Sequence, residues 1–417
     1  MTYETVVDYI SSVRRFGKAY GRDVTFEVME HLEHPESNLK VIHIAGSNGK
    51  GSVAQFLASM ISSGVKKNKP LKVGVFTSPH LVDFTERISI NGENISKDDV
   101  ARIGTYLINL PVSLPPTMFD YCLAIAIRYF AEKKCDYVIL ETGLGGAKDS
   151  TRGLLCTPLV SVITTISLEH TQILGNSVEE IAAEKAGIIR AKTRVVTGPL
   201  SDAAYRIING RCVDLKVPIL RTENLIDKSY ELGLLGEHQR VNATIAVNAL
   251  KELVLATKDK SLQAVLDSDE TMRCALKAAR HPGRMEIVSE EPFMLLDGAH
   301  NEEGISALVE SLKILYPRER FTFVMCVMKD KNCDDMLSKL SDICGKFIAT
   351  TIDYDRAMSE EILCEKALKA GLDAVSVSNI LTAIEKAKNS GNKVICAGSL
   401  YFIGELKKRV ENNENRS

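Results

Sequence analysis

Residues 39–61, LKVIHIAGSNGKGSVAQFLASMI, decide the fold class. Val41, Ile42, Ile44 and Ala45 form a short, almost continuous apolar run, the pattern of a strand covered on both faces of a parallel sheet. From Gly46 to Ser52 come three glycines, two serines, an asparagine and a lysine. Val53, Phe56, Leu57, Met60 and Ile61 then recur at helical spacing. Strand, glycine loop and helix N-terminus together make an anion site, because glycines let backbone N–H groups close around a phosphate and the helix dipole favours negative charge. Lys50 adds a cation, and Ser52 a hydroxyl suited to a magnesium ion on the same phosphates. The spacing departs from the common phosphate loop: only Ser47 and Asn48 precede Gly49-Lys50, and Gly51 intervenes before Ser52. A plain turn between strand and helix would need only one or two glycines.

At 417 residues the chain exceeds the usual single domain, so two are expected. With 45% hydrophobic and 25% charged residues it reads as globular, and a net charge of −2 gives no overall basic field for nucleic acid. No apolar run has the length of a signal peptide core or a membrane span, so no membrane partner and a cytoplasmic location are expected. The ten cysteines lack any C-x-x-C pair, and Cys122, Cys326 and Cys396 sit in apolar stretches. They read as reduced core thiols, without a zinc site or disulfide framework.

Along the chain, Val6, Val7, Ile10 and Val13 predict a first helix, 17–22 a polar turn, and Val28, Met29 and Leu32 a second helix. A buried strand over 73–77 runs into Ser78-Pro79-His80, where α/β proteins place ligand contacts; His80, Glu86 and Arg87 are candidates, against a solvated Glu86–Arg87 pair. An apolar helix at 117–130 precedes the strand of DYVILETGLGG, which ends in Glu141, a magnesium ligand or a helix cap. The strand at 159–166 leads to Glu169 and His170, and Ser177 with Glu180 predicts a capping box. Lys185 falls on the apolar stripe of the following helix, where it either snorkels to the surface or is aimed at a site. Strands at 194–198 and 217–220 follow, then a helix with His238, Gln239 and Asn242 near its start. After HPGR (281–284) a second alternation begins: a strand at 293–296 ending in Asp297 and, shortly after, His300, then strands near 321–328, 346–351, 374–377 and 393–397 between helices.

Ten motifs occur in order between about residues 39 and 408: GSNGKGS, SPHL, ERISING, ETGLGG, EHTQILG, EEIAAEKAGII, GEHQ, HPGR, DGAHN and GSLYFIGEL. Together they resemble the folylpolyglutamate synthase/dihydrofolate synthase family of Mur-type ligases. The resemblance implies an α/β architecture, with a P-loop ATPase-like domain and parallel-rich sheet over 1–283 and a smaller Rossmann-like ligase domain over 284–417. It implies an ATP-dependent amide ligase in which a substrate carboxylate takes the γ-phosphate and the acyl phosphate is captured by glutamate. Gly46, Ser47, Asn48, Gly49, Lys50, Gly51 and Ser52 would hold ATP with Asn242, Arg284 and Asp297. Ser52, Glu141, His170 and Lys185 match the Mg2+ side of the site, Lys185 as the family's carbamylated lysine. Lys50, Lys185, His170 and His300 are the expected catalytic residues, and His80, Arg87, Phe119, Asp120, Lys148, Asp149 and Ser150 the expected substrate contacts.

The implied partners are ATP, L-glutamate and a folate-type carboxylate, acting on a monomer. One departure bears on the carboxylate. Where the family reads GGRLDATN, residues 145–152 read GGAKDSTR, so Ala147 replaces an arginine and Arg152 an asparagine. His281 also replaces an aromatic residue. A ligase for a non-folate carboxylate is therefore the alternative within the class, and a non-catalytic ATP-binding regulator the alternative outside it.

Overall fold

The computed structural model describes residues 1–13 and 21–414. The polar turn expected at 17–22 lies largely outside them; its last two residues open the helix Gly21–His31. Two compact units form: Met1–Gly233 with Arg240–Ala279, and Leu234–Gln239 with Arg280–Ser417. The sequence placed the change between 283 and 284. The contacts group 280–283, and Leu234–Gln239 besides, with the second unit.

The strands of the first unit are β1 (Val41–Ala45), β2 (Val65–Lys66), β3 (Lys69–Pro70), β4 (Val73–Phe76), β5 (Ile88–Ile90), β6 (Glu93–Asn94), β7 (Tyr137–Glu141), β8 (Val160–Ile163), β9 (Arg194–Thr197) and β10 (Ile219–Arg221). β2 and β3 are a separate hairpin; the rest make one sheet in the order β10-β9-β8-β1-β7-β4-β5-β6. From β10 to β4 every pairing is parallel, and β5 and β6 add an antiparallel edge. β1, β4, β7 and β8 are buried along their whole length, which is why they read as mainly apolar runs, broken only by His43, Ser161 and the terminal Glu141. One core packs helices Tyr3–Ser12, Lys97–Ile108 and Met118–Glu132 against β1, β4 and β7. Another packs Val178–Ala186 and Asp202–Leu215 against β8 and β9.

The second unit contains β11 (Glu286–Glu290), β12 (Phe293–Leu296), β13 (Phe321–Met325), β14 (Cys344–Ala349), β15 (Ala374–Ser376) and β16 (Lys393–Ala397), in the order β11-β12-β16-β13-β14-β15. Only β11 is antiparallel to its neighbour. The antiparallel strands β5, β6 and β11 were not expected. A signal existed for the first two: Asn91 and Gly92 both take positive φ, 50° and 86°, as a two-residue hairpin requires. The capping box is only half formed. Glu180 N–H donates to Ser177 Oγ at 3.2 Å, but the Glu180 carboxylate accepts from Asn176 N–H instead of Ser177. Among the described residues no helix is long and apolar enough to cross a membrane.

Candidate active site

Because β8, β1, β7 and β4 are consecutive neighbours and parallel, the loops leaving their C-terminal ends lie side by side. The glycine loop after β1 is pinned to the segment after β8. Ser47 N–H donates to Thr165 O at 2.8 Å, Asn48 N–H to Thr165 Oγ1 at 3.0 Å, and Thr164 Oγ1 to Asn48 O at 2.6 Å. Gly49 has φ +84°, and a Cβ there would lie 2.4 Å from Asn242 Oδ1, so the loop turns tightly with Asn242 against it. Helix Lys50–Ser62 starts at once, its N-terminus at the loop. Lys50 Nζ donates to Gly46 O at 2.9 Å and Ser47 O at 3.2 Å, which holds the ammonium over the same loop. Ser52 is buried on the first turn. Loop amides, a helix N-terminus and one cation thus converge, the arrangement that binds a polyphosphate.

Lys185, left open by its sequence position, does not snorkel: it is 1% exposed, and its Nζ lies 3.0 Å from Glu169 Oε1. Burial pushes the Lys185 ammonium below its ordinary pKa, against the attraction of Glu169, while Lys50 adds repulsion. Burial raises the Glu169 carboxyl, but Lys185, Lys50 and a hydrogen bond from Ser47 outweigh it and hold it at about 2. Glu169 therefore joins the phosphate loop to Lys185. The sequence showed it at a strand end without assigning it a role. His170, next in the chain, heads the one-turn helix Thr171–Leu174 at φ +47°.

Glu141 is buried at the end of β7, where its Oε2 accepts from Ser78 N–H at 3.2 Å. Among the described residues no group of three or more His, Cys, Asp or Glu side chains could hold a metal on its own. Magnesium does not require such a cage, since it takes one or two protein oxygens and completes its shell with phosphates and water. The Ser52 hydroxyl and Glu141 carboxylate are hard oxygen donors of that kind.

The expected substrate residues divide. Arg87 is buried and donates from Nε to His80 Nδ1 at 2.8 Å. Glu86 is not its solvated partner; its carboxylate accepts from the N–H groups of Leu81, Val82 and Asp83 at 2.7, 2.9 and 2.8 Å. The Phe119 ring lies 5.4 Å from that of Phe76 and covers Gly143. Lys148 is exposed, and Ser150 is buried in the 3-10 turn Ser150–Gly153.

Two expected contacts, Asp120 and Asp149, are occupied within the fold. Asp120 accepts from Thr25 Oγ1 at 3.1 Å and from the N–H and hydroxyl of Thr117 at 2.8 and 2.6 Å. Asp149 accepts from Leu144 N–H at 2.9 Å and from the N–H and hydroxyl of Thr151 at 3.0 and 2.5 Å. Burial raises the Asp149 carboxyl even against these bonds.

In the second unit, Asp297 directly follows β12 and accepts from Met285 and Ala299 N–H, each at 2.7 Å. His300 Nδ1 lies 2.8 Å from Gly298 O, and the Arg284 guanidinium packs beside Gly298.

Comparison with known proteins identifies the family. Residues 44–211 match the Mur ligase middle domain and residues 283–400 the Mur ligase glutamate ligase domain. The dihydrofolate synthase/folylpolyglutamate synthase of Bacillus subtilis is 34% identical, over 98% of this chain and 99% of its own length. The Mycobacterium tuberculosis folylpolyglutamate synthase complexed with ADP is 25% identical with a TM-score of 0.86, covering 97% of both chains. The bifunctional Yersinia pestis enzyme complexed with AMPPNP and manganese is also 25% identical, with a TM-score of 0.85 over 99% of this chain and 98% of that one. The chain belongs to the folylpolyglutamate synthase/dihydrofolate synthase family of Mur-type ligases.

Proposed function

We propose that this chain is an ATP-dependent ligase that adds L-glutamate to a folate-type carboxylate, dihydropteroate or tetrahydrofolate or both, releasing ADP and phosphate. The observation that carries the reading is the pinned phosphate loop, with Lys50 over it and the buried Lys185–Glu169 pair beside it. A substrate carboxylate oxygen attacks the γ-phosphorus while the bond to ADP breaks. The glutamate amine then attacks the acyl carbon, giving up a proton and displacing phosphate. Two anions must meet in the first step. The loop amides, the helix N-terminus and Lys50 lower that repulsion where charge builds up.

Ser52, Glu141 and His170 are the residues that would hold magnesium, which when bound neutralises the phosphate oxygens. A carbamate on Lys185 would turn an ammonium into a further oxygen donor. Asn242, Arg284 and Asp297 are assigned to the nucleotide on the family's motifs, and His300 to the catalytic residues. His80, Arg87, Phe119, Lys148 and Ser150 are assigned to the carboxylate substrate, and Asp120 and Asp149 to shaping that side of the site. The near-neutral charge supports the absence of a nucleic-acid partner, and the ten free thiols support a cytoplasmic location.

Mass spectrometry of reactions with ATP, magnesium, glutamate and either dihydropteroate or tetrahydrofolate tests the reading. The expected result is a gain of one glutamate matched by ADP release. No gain on either substrate would overturn the folate assignment and favour a different carboxylate, for which Ala147 and Arg152 are the residues to examine.

A further inference from the structure

The loop that carries the sequence departure is one stiff piece. Leu144 N–H donates to Asp149 Oδ2 at 2.9 Å, and Asp149 N–H to Gly146 O at 3.3 Å, which closes 144–149 on itself. Three further bonds attach that piece to a single residue outside it. Glu184 Oε1 accepts from Lys148 N–H at 2.9 Å and Gly146 N–H at 3.4 Å, and Glu184 O accepts from Ala147 N–H at 2.8 Å. Glu184 is half-buried in the last turn of helix Val178–Ala186, immediately before Lys185.

The approach is close enough to dictate residue type. A Cβ on Gly146 would meet Glu184 O at 2.7 Å and Lys185 O at 2.9 Å; one on Gly187 would meet the Ala147 Cα at 2.3 Å. Glycine stands on each side of the contact, at 146 and 187, and the Glu184 side chain is the one that reaches across to accept from the loop amides, with the Ile188 and Leu174 side chains packed beside it. Neither the phosphate loop nor Lys185 uses this carboxylate as a hydrogen-bond acceptor among the bonds described.

We propose that Glu184 is a positioning residue: it clamps loop 144–149 onto the helix that carries Lys185, and so sets the affinity for the carboxylate substrate independently of ATP. This rests on the functional reading above, in which Lys148 and Ser150 serve the carboxylate side. The clamp gives that side a fixed distance from Lys185, because loop and lysine are referred to the same helical turn.

The test combines steady-state kinetics with amide hydrogen exchange on the full chain. E184A is expected to raise KM for the carboxylate substrate about tenfold, with KM for ATP within twofold of the parent and faster exchange at the Lys148 amide. E184Q keeps an acceptor oxygen for both amides and is expected to recover most of the lost affinity. A purely structural role would move both KM values together and would not separate Gln from Ala. Unchanged KM values, equal changes in both, or unchanged exchange at Lys148 would overturn the proposal. If the parent enzyme adds glutamate to neither folate, the functional reading falls. The clamp is then decided by the exchange measurement alone, which unchanged protection overturns.

Discussion

Lys185 shows what one residue in an unexpected place can mean. An ammonium taken out of water costs several kcal/mol unless it is paired, and this one is buried with Glu169 as its partner. Burial and the nearby Lys50 both push its pKa down, so it releases its proton more readily than a surface lysine. A neutral amine is the form that reacts with carbon dioxide, which makes this lysine chemically suited to the carbamate that the family motif implies. K185A should then lose at least about a hundredfold in turnover, the scale on which a group stabilising developing charge acts. Acetate or another short carboxylate should restore part of it, measured as ADP release in the presence of both substrates. A fully active variant would sink the assignment.

At the scale of the element, strand, glycine loop and helix work as a unit because each ends where the next must begin. β1 stops at Ala45, and Lys50 already lies in the helix, which leaves four residues to turn and to present their amides. Gly49 makes the turn in the left-handed region with Asn242 at its back. G49A would place a methyl 2.4 Å from Asn242 Oδ1 in a conformation that costs an L-residue about 1–2 kcal/mol. Chemical denaturation should show a loss of that size. ATP titration should show affinity weakened about tenfold or more, as the loop amides and Asn242 separate. An unchanged affinity would mean that the loop does not hold the phosphates.

For the molecule as a whole, stability should depend on acid through a group buried in the central sheet. His43 lies inside β1, its Nε2 2.8 Å from Thr151 Oγ1. Burial, with Arg190 and Arg152 nearby, takes its imidazole from an ordinary 6.5 to about 3. Below pH 6.5 the unfolded chain gains a proton there that the folded chain refuses, so stability is lost as pH falls from about 6.5 towards 3. The slope contributed is at most about 1.4 kcal/mol per pH unit. H43Q should remove about one proton's share of the slope between pH 6.5 and 5, read from denaturation series at fixed pH. A slope equal to that of the parent would show that His43 is protonated in the fold.

What the sequence alone determined is what local pattern and chain order can carry. The apolar runs at β1, β4, β7 and β8, the glycine loop with Lys50, and the order of the motifs were enough for the fold class and for the loop proposed to hold phosphate, because each depends on residues adjacent in the chain. The hairpin at Asn91-Gly92 is legible in the same way, from the NG pair that a two-residue turn requires. Tertiary structure decided the rest, because hydrogen bonding and burial depend on partners far away in sequence. It paired Lys185 with Glu169 rather than solvent, and gave Glu86 to three backbone amides and Arg87 to His80. It also turned Asp120 and Asp149 inward to hold their own turns. Glu184 was one acidic residue among several in its helix until the fold brought the amides of Gly146 and Lys148 to it, thirty-eight and thirty-six positions away.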